Sequence, residues 1–245
     1  VKNVYKVGVV GIAAALTLSA CDGDQVKMGA AATFRNDRIT ESSLDNTVVN
    51  WQREWRDTTR QNGDAGATQL QRELSRFPTA PPRNAISELV SIRVWDQAAR
   101  DAGFHVTSGE VQTFIPRLEQ AAASNQQIQP FLPARGVLDT LTLASGLPIA
   151  NAEDFAREHL IETAFQNRII SSLEASGQIT QNSDPQTAEN MIRGEMSSLY
   201  SRAAKQLKVE VNPRYGAFDP TVLGVGPITT NLSKPDPALN GAPQP

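Results

Sequence analysis

Few residues of this chain belong to the types that carry chemistry. The 245-residue sequence holds one cysteine, Cys21, and two histidines, His105 and His159. That inventory excludes a disulfide framework and any zinc site built from several Cys and His ligands. His105 lies two residues ahead of a helix-capping threonine, Thr107, and reads as a boundary histidine. His159 has Glu158 before it and Glu162 three residues after it, with no second strong ligand at i+4, so the group reads as a solvated helix face. Glu153 and Asp154 read as charges that suit the start of a helix. Gly224-Val225-Gly226-Pro227 has no helix behind it and reads as a turn, and no serine stands in a G-x-S-x-G elbow. These residues assign no catalytic, cofactor-binding or metal-ligating position, and no cofactor is expected.

Cys21 has a setting of its own. Val1 to Lys6 carries two lysines and no acid, and Val7 to Ala20 is a run of 14 residues without a charge. A spanning helix needs about 20 apolar residues, so this run is too short for an ordinary membrane anchor. A basic start followed by an apolar core of this length reads as a secretory signal peptide. The run ends Leu18-Ser19-Ala20-Cys21 and resembles a bacterial lipobox. The resemblance implies a diacylglyceryl group on the Cys21 thiol, palmitate among its acyl chains, and cleavage before Cys21. It further implies residence on the outer face of the cell membrane. One acyl chain binds a bilayer marginally, whereas two hold firmly.

Composition sets the remaining bounds. Lys plus Arg is 23 and Asp plus Glu is 26, a formal charge of −3. A nucleic-acid binder carries a basic excess that this chain lacks. The expected organisation is a signal peptide at 1–20, a tether at 21–30, a helical domain at 31–220 and a disordered tail at 221–245. Ala31 to Arg35 and Arg38-Ile39 are extended around an Asn36-Asp37 turn. Thr40 then caps a helix whose apolar stripe is Leu44, Val48, Trp51 and Trp55, running to about Arg60. Gln61 to Thr68, with Gly63 and Gly66, reads as a loop before a short helix from Leu70 to Phe77. Arg83 to Ala102 has so wide an apolar face that it must be largely buried, and Gly103 stops it.

Thr107 and Glu110 have capping-box spacing ahead of a helix that carries Val111, Phe114, Ile115 and Leu118, with Pro116 inside. Gln126 to Pro133 is a break, Arg135 to Ser145 a helix stopped by Gly146, and Asn151 the cap of a helix bearing Phe155, Ile161, Phe165, Ile169 and Leu173. Asp184-Pro185 starts a last helix with Ile192, Met196, Leu199, Ala203 and Leu207 on one stripe. Lys208 to Val211 alternates as a short strand, and it is expected to pair near Ala31 to Phe34 and clip the two ends together. The fold class is therefore mainly α, with a short two-to-three-stranded clip joining the N- and C-terminal segments.

Four pieces, in order, resemble SurA-type N-terminal domains. They are Ala31 to Phe34 with its turn and Leu44; Leu89 to Ala98 with Gly103, Val106-Thr107 and Glu110-Val111; Phe155 to Leu173; and the closing helix with Lys208 to Val211. Val211 to Pro220 is similar to the C-terminal segment of actinobacterial lipoproteins of this kind. The resemblance implies a chaperone of the SurA/PrsA type that holds unfolded or partly folded secreted polypeptides without ATP. Relatives often add a parvulin domain, which isomerises X-Pro bonds. Here Ala121 to Asp184 reads as helices and breaks without paired histidines, so no isomerase residue carries over. Trp51, Trp55 and Trp95 then have two readings, as core or as an apolar client-binding surface. The expected partners are the membrane, through its anchor, and non-native polypeptides. A related peptidyl-prolyl isomerase, or a lipoprotein that docks one folded partner, is the alternative.

Overall fold

The computed structural model describes residues 28–75, 81–124, 136–180 and 182–227. The expected signal peptide, Cys21, most of the tether, the Gln126 to Pro133 break and the tail from residue 228 lie outside them. What is described is mainly helical, with a small antiparallel sheet.

The clip forms as the alternation predicts. Strand β1 (Ala30–Thr33) pairs with β2 (Arg38–Thr40), placing Ala32 opposite Ile39 and Thr33 opposite Arg38. The Phe34 amide donates to the Asp37 carbonyl at 2.8 Å and closes the turn. On the other side of β1 lies β3 (Glu210–Val211), with Ala32 opposite Val211. Asn212 reinforces the junction, its side-chain amide donating to the Ala30 carbonyl at 3.2 Å and to Glu41 Oε1 at 3.1 Å. Ala30, Ala31 and Ala32 are fully buried. Methyl-sized side chains let the helices close over both faces of this strand.

Helix α1 (Glu41–Ser75) starts where the Ser43 amide donates to Thr40 Oγ1 at 3.0 Å. It continues through Gly63 and Gly66, where the glycines suggest a loop. Each glycine costs about 1 kcal/mol against alanine inside a helix, and no proline interrupts the segment, so propagation from the preceding turns prevails. Helix α2 (Pro81–Asp101) begins two residues ahead of the expected Arg83, because proline suits a first helical turn. Gly103, at φ 71°, ends it, and Phe104 N–H returns to the Ala99 carbonyl at 3.0 Å. The capping box of α3 (Ser108–Ser124) forms as read: Thr107 N–H donates to Glu110 Oε2 at 2.7 Å and Glu110 N–H to Thr107 Oγ1 at 3.2 Å.

Helix α4 (Val137–Ser145) stops at Gly146 with φ 96°. A 3-10 turn over Ile149–Asn151 leads into α5 (Ala152–Ala175). Asn151, expected to cap this helix, makes no side-chain cap bond; instead Glu54 reaches across from α1 and accepts the Ile149 amide at 2.7 Å. Helix α6 (Pro185–Leu207) has Pro185 in its first turn and Asp184 accepting the Thr187 amide at 2.8 Å.

One segment departs from expectation. Residues 221–227, assigned to the tail, are ordered, and Gly224–Gly226 is a strand, β5, rather than a turn. It pairs with β4 (Ala217–Asp219), Phe218 facing Val225. The cause is tertiary. Val225 N–H donates to Ser87 Oγ at 2.9 Å and Arg83 Nε to the Tyr215 carbonyl at 3.0 Å, so the hairpin is docked on α2. Gly216, at φ 141°, lies so close to the Gly226 carbonyl that a Cβ would collide with it.

Helix α2 is the axis of the core, lying against α1, α5, α6 and the hairpin. Trp95 is 1% exposed and is flanked by Tyr200 at 5.3 Å and Phe165 at 5.9 Å between ring centroids. A smaller cluster joins Val111, Leu138, Phe155 and Ala156 under α3.

Candidate acidic pocket

The buried face of α5 repeats at Phe155, Glu158, Ile161, Phe165, Ile169 and Leu173. Spacings of three and four put all six on one side of a helix. Glu158 is therefore carried into the interior by its neighbours and is 5% exposed. This corrects the solvated face assigned to the Glu158–His159–Glu162 group. Only His159 and Glu162 keep solvent, with side chains 50% and 35% exposed and 3.9 Å between Nδ1 and Oε2. The His159 ring stacks on Phe155 at 5.2 Å.

Opposite α5, helix α2 supplies Glu88 and Ser91, one turn apart, the first partly and the second fully buried. The Ser91 hydroxyl donates to Glu158 Oε1. Beyond Ser91, the side chain with which Glu158 can share a hydrogen bond is Glu88, itself a carboxyl. Its charged neighbours are further carboxylates, Glu88 first and Glu162 next. These groups line a cavity of about 440 Å³, whose other walls are Leu141, Ala144 and Ser145 of α4, Phe155, and Val222 and Leu223 from the β4–β5 turn. Tyr200 of α6 lies beneath, fully buried, with a hydroxyl that makes no hydrogen bond of normal geometry.

Electrostatics follow from that enclosure. Burial is the main force on Glu88, pushing its carboxyl up to about 7; contact with Glu158 draws it back and the Glu162 charge adds to the rise. Glu158 is held well above the usual carboxylate range, by burial first and by repulsion from Glu88 second. Glu162 is raised by burial too, less so because His159 opposes it. Burial likewise raises the Tyr200 hydroxyl, with Ser91 offsetting part of the effect. Two carboxylates in contact cannot both ionise cheaply, so the Glu88–Glu158 pair retains a proton at neutral pH. The site can hold that proton or take up an external cation in its place. Among the described residues, no three His, Cys, Asp or Glu side chains are grouped to hold a metal ion.

The residues singled out by sequence are elsewhere. Cys21 lies outside the described residues. Trp95 is enclosed by Phe165 and Tyr200, and Trp51 is 5% exposed with its indole N–H donating to the Leu143 carbonyl at 2.7 Å. A client-binding surface of Trp51, Trp55 and Trp95 is therefore corrected: two of the three are core, and the half-buried Trp55 rests on Trp51 at 5.4 Å. Large rings bury too much area to stay open on a helix already flanked by others. Among the described residues the large exposed apolar side chains are Met28, Val49 and Val222, the last on the pocket's wall. His105 is exposed in the loop before α3.

Glu88, absent from the sequence reading, had one signal: an acid inside the wide apolar face of α2, next to Leu89 and Val90. A second cavity, of about 450 Å³, contains Phe34, Asp37, Arg93, Asp96 and Arg100. Its chemistry is spent internally, since Arg93 pairs with Asp37 at 3.2 Å and lies over the Phe34 ring, and Arg100 donates to Gln97 at 2.9 Å. Among the described residues, no helix is long and apolar enough to cross a membrane. No protein-family model matches the chain, and no curated protein or solved structure does either.

Proposed function

We propose that this protein is a lipid-anchored holding factor of the cell envelope, built on a SurA N-terminal-type helical domain. It binds unfolded or partly folded secreted polypeptides without nucleotide and without changing a covalent bond. The anchor is the diacylglyceryl group on Cys21, at the end of the Leu18-Ser19-Ala20-Cys21 run. The observation that carries the reading is the pairing of Ala32 with Val211, which ties the strand before the first helix to the strand after the last. That is the return pairing the SurA-type resemblance calls for. The nine residue-to-residue steps from Cys21 to Ala30 reach at most about 30 Å, so the body stays close to the bilayer surface.

Grip does not come from the tryptophans. The α2–α4–α5 pocket combines apolar walls with a cluster of three carboxyls, Glu88, Glu158 and Glu162, a place where a side chain of an extended polypeptide can lodge. Anchoring is tested in cells with an alkyne-tagged palmitate: wild type takes up label and sediments with membranes, and Cys21→Ala does neither. Holding is tested with the full chain and a chemically unfolded client, whose aggregation is suppressed at near-stoichiometric ratio. A client that aggregates equally fast with and without the protein overturns the reading.

A further inference from the structure

The geometry points to the α2–α4–α5 pocket as a binding site for an alkylammonium group, its carbon stem along Leu141, Phe155 and Leu223 and its nitrogen against Glu158 and Glu88. Three observations converge. First, the ionisable lining of the pocket is acidic: Glu88, Glu158 and Glu162 line it with His159, and neither lysine nor arginine does. Second, Glu158 is 5% exposed, its Oε1 is held by Ser91, and the other group it can share a hydrogen bond with is a further carboxyl, Glu88, so it loses that bond when the pair's protons leave. A deprotonated buried pair is costly to leave without donors, and an ammonium brings three N–H donors and a charge at once. Third, the cavity of about 440 Å³ is apolar toward α4 and the hairpin turn, which suits a hydrocarbon stem better than a bare ion.

The proton of the empty site and the incoming ammonium compete. The titratable groups that face the site are Glu88 of α2, Glu158, His159 and Glu162 of α5, and Tyr200 of α6; α4 and the β4–β5 turn contribute none. Uptake of the cation needs the first proton of the Glu88–Glu158 pair to leave, the one on Glu88. Glu88 gives up its proton at about 7, far below the ~10.4 of an alkylammonium. Affinity therefore rises about tenfold between pH 6 and pH 8, one pH unit on either side of that value. Recognition of the ammonium stands on the pocket alone. That the group is the lysine side chain of a held polypeptide rests on the reading proposed above.

The test uses the full chain and calorimetric titration with n-butylamine, with n-butanol as the neutral probe of equal length. Saturable binding of butylamine, about tenfold tighter at pH 8 than at pH 6 and lost by at least tenfold in Glu158→Gln, supports the site. Glutamine can still accept from Ser91, and thermal melting verifies its fold; Glu88→Gln serves if that variant does not fold. Equal response to butanol, no saturation by butylamine at pH 8, or unchanged affinity in both folded variants overturns it. Competition by N-acetyl-Ala-Ala-Lys-Ala-Ala-amide identifies the source as polypeptide. Butylamine binding without such competition leaves the site standing as one for free amines, and counts against the holding reading alone.

Discussion

Replacing Glu88 by glutamine removes a carboxyl that burial pushes up to about 7. A carboxyl with a folded value above its unfolded value binds its proton more tightly in the folded chain. The unfolded chain therefore ionises first, and stability falls as pH rises from 4.5, the ordinary value, to about 7. At 1.36 kcal/mol per unit, that rise corresponds to a loss on the order of 3 kcal/mol above pH 7 relative to acid pH. Most of it, about 2–3 kcal/mol, falls between pH 5 and pH 8. An amide carries no charge to desolvate, and its NH₂ can donate to the Glu158 carboxyl at any pH. Glu88→Gln is thus expected to be more stable than wild type at pH 8, by up to about 3 kcal/mol, and close to it at pH 5. Urea unfolding of both proteins at pH 5, 6, 7 and 8, at one ionic strength, measures this directly. A wild-type curve flat across the range, or a variant with the same slope as wild type, would refute the assignment of the buried proton.

Other substitutions separate core from surface and clip from body. Trp95→Ala empties the space between Phe165 and Tyr200 and is expected to cost roughly 3–5 kcal/mol in denaturant unfolding, whereas Trp55→Ala, half-exposed, costs clearly less; equal losses would contradict their placement. Asn212→Ala removes donors to the Ala30 carbonyl and Glu41, so a loss of about 1–2 kcal/mol and faster proteolytic release of the N-terminal strand are expected, and an unchanged digestion pattern would contradict the clip. Gly216→Ala forces a Cβ against the Gly226 carbonyl, so hydrogen exchange at the Val225 amide should accelerate relative to wild type.

Local rules made much of the fold legible. The Thr107–Glu110 box, the glycine stops at 103 and 146 and the Asp184-Pro185 start involve partners within a few residues, so sequence spacing specifies them. The clip was legible for a different reason: Lys208 to Val211 is a short extended segment whose available strand partners in the sequence reading lie near Ala31 to Phe34. The β4–β5 hairpin was not. Its strands lack alternation, and what orders them is Arg83 and Ser87, more than a hundred residues away. Gly63 and Gly66 misled because their cost is small beside the helix that runs through them.

The pocket was half visible. Glu158 stands three residues from both Phe155 and Ile161, on the stripe itself, so its burial follows from the same periodicity that identified α5. Reading it with His159 obscured this. Its partners, Glu88 and Ser91, come from another helix, and no spacing within α5 can show which face of α2 it meets. Sequence left the tryptophans open between core and surface; packing buries Trp51 and Trp95 and spends the Trp51 indole N–H on Leu143.

The shared proton is most directly seen by carboxyl-carbon NMR of the full chain labelled at glutamate, titrated from pH 3 to pH 10, with Glu88→Gln and Glu158→Gln for assignment. The account predicts one transition of the pair at about 7 and the other also above the ordinary carboxylate range, each altered when its partner is replaced. Two independent transitions near 4.5 would contradict it.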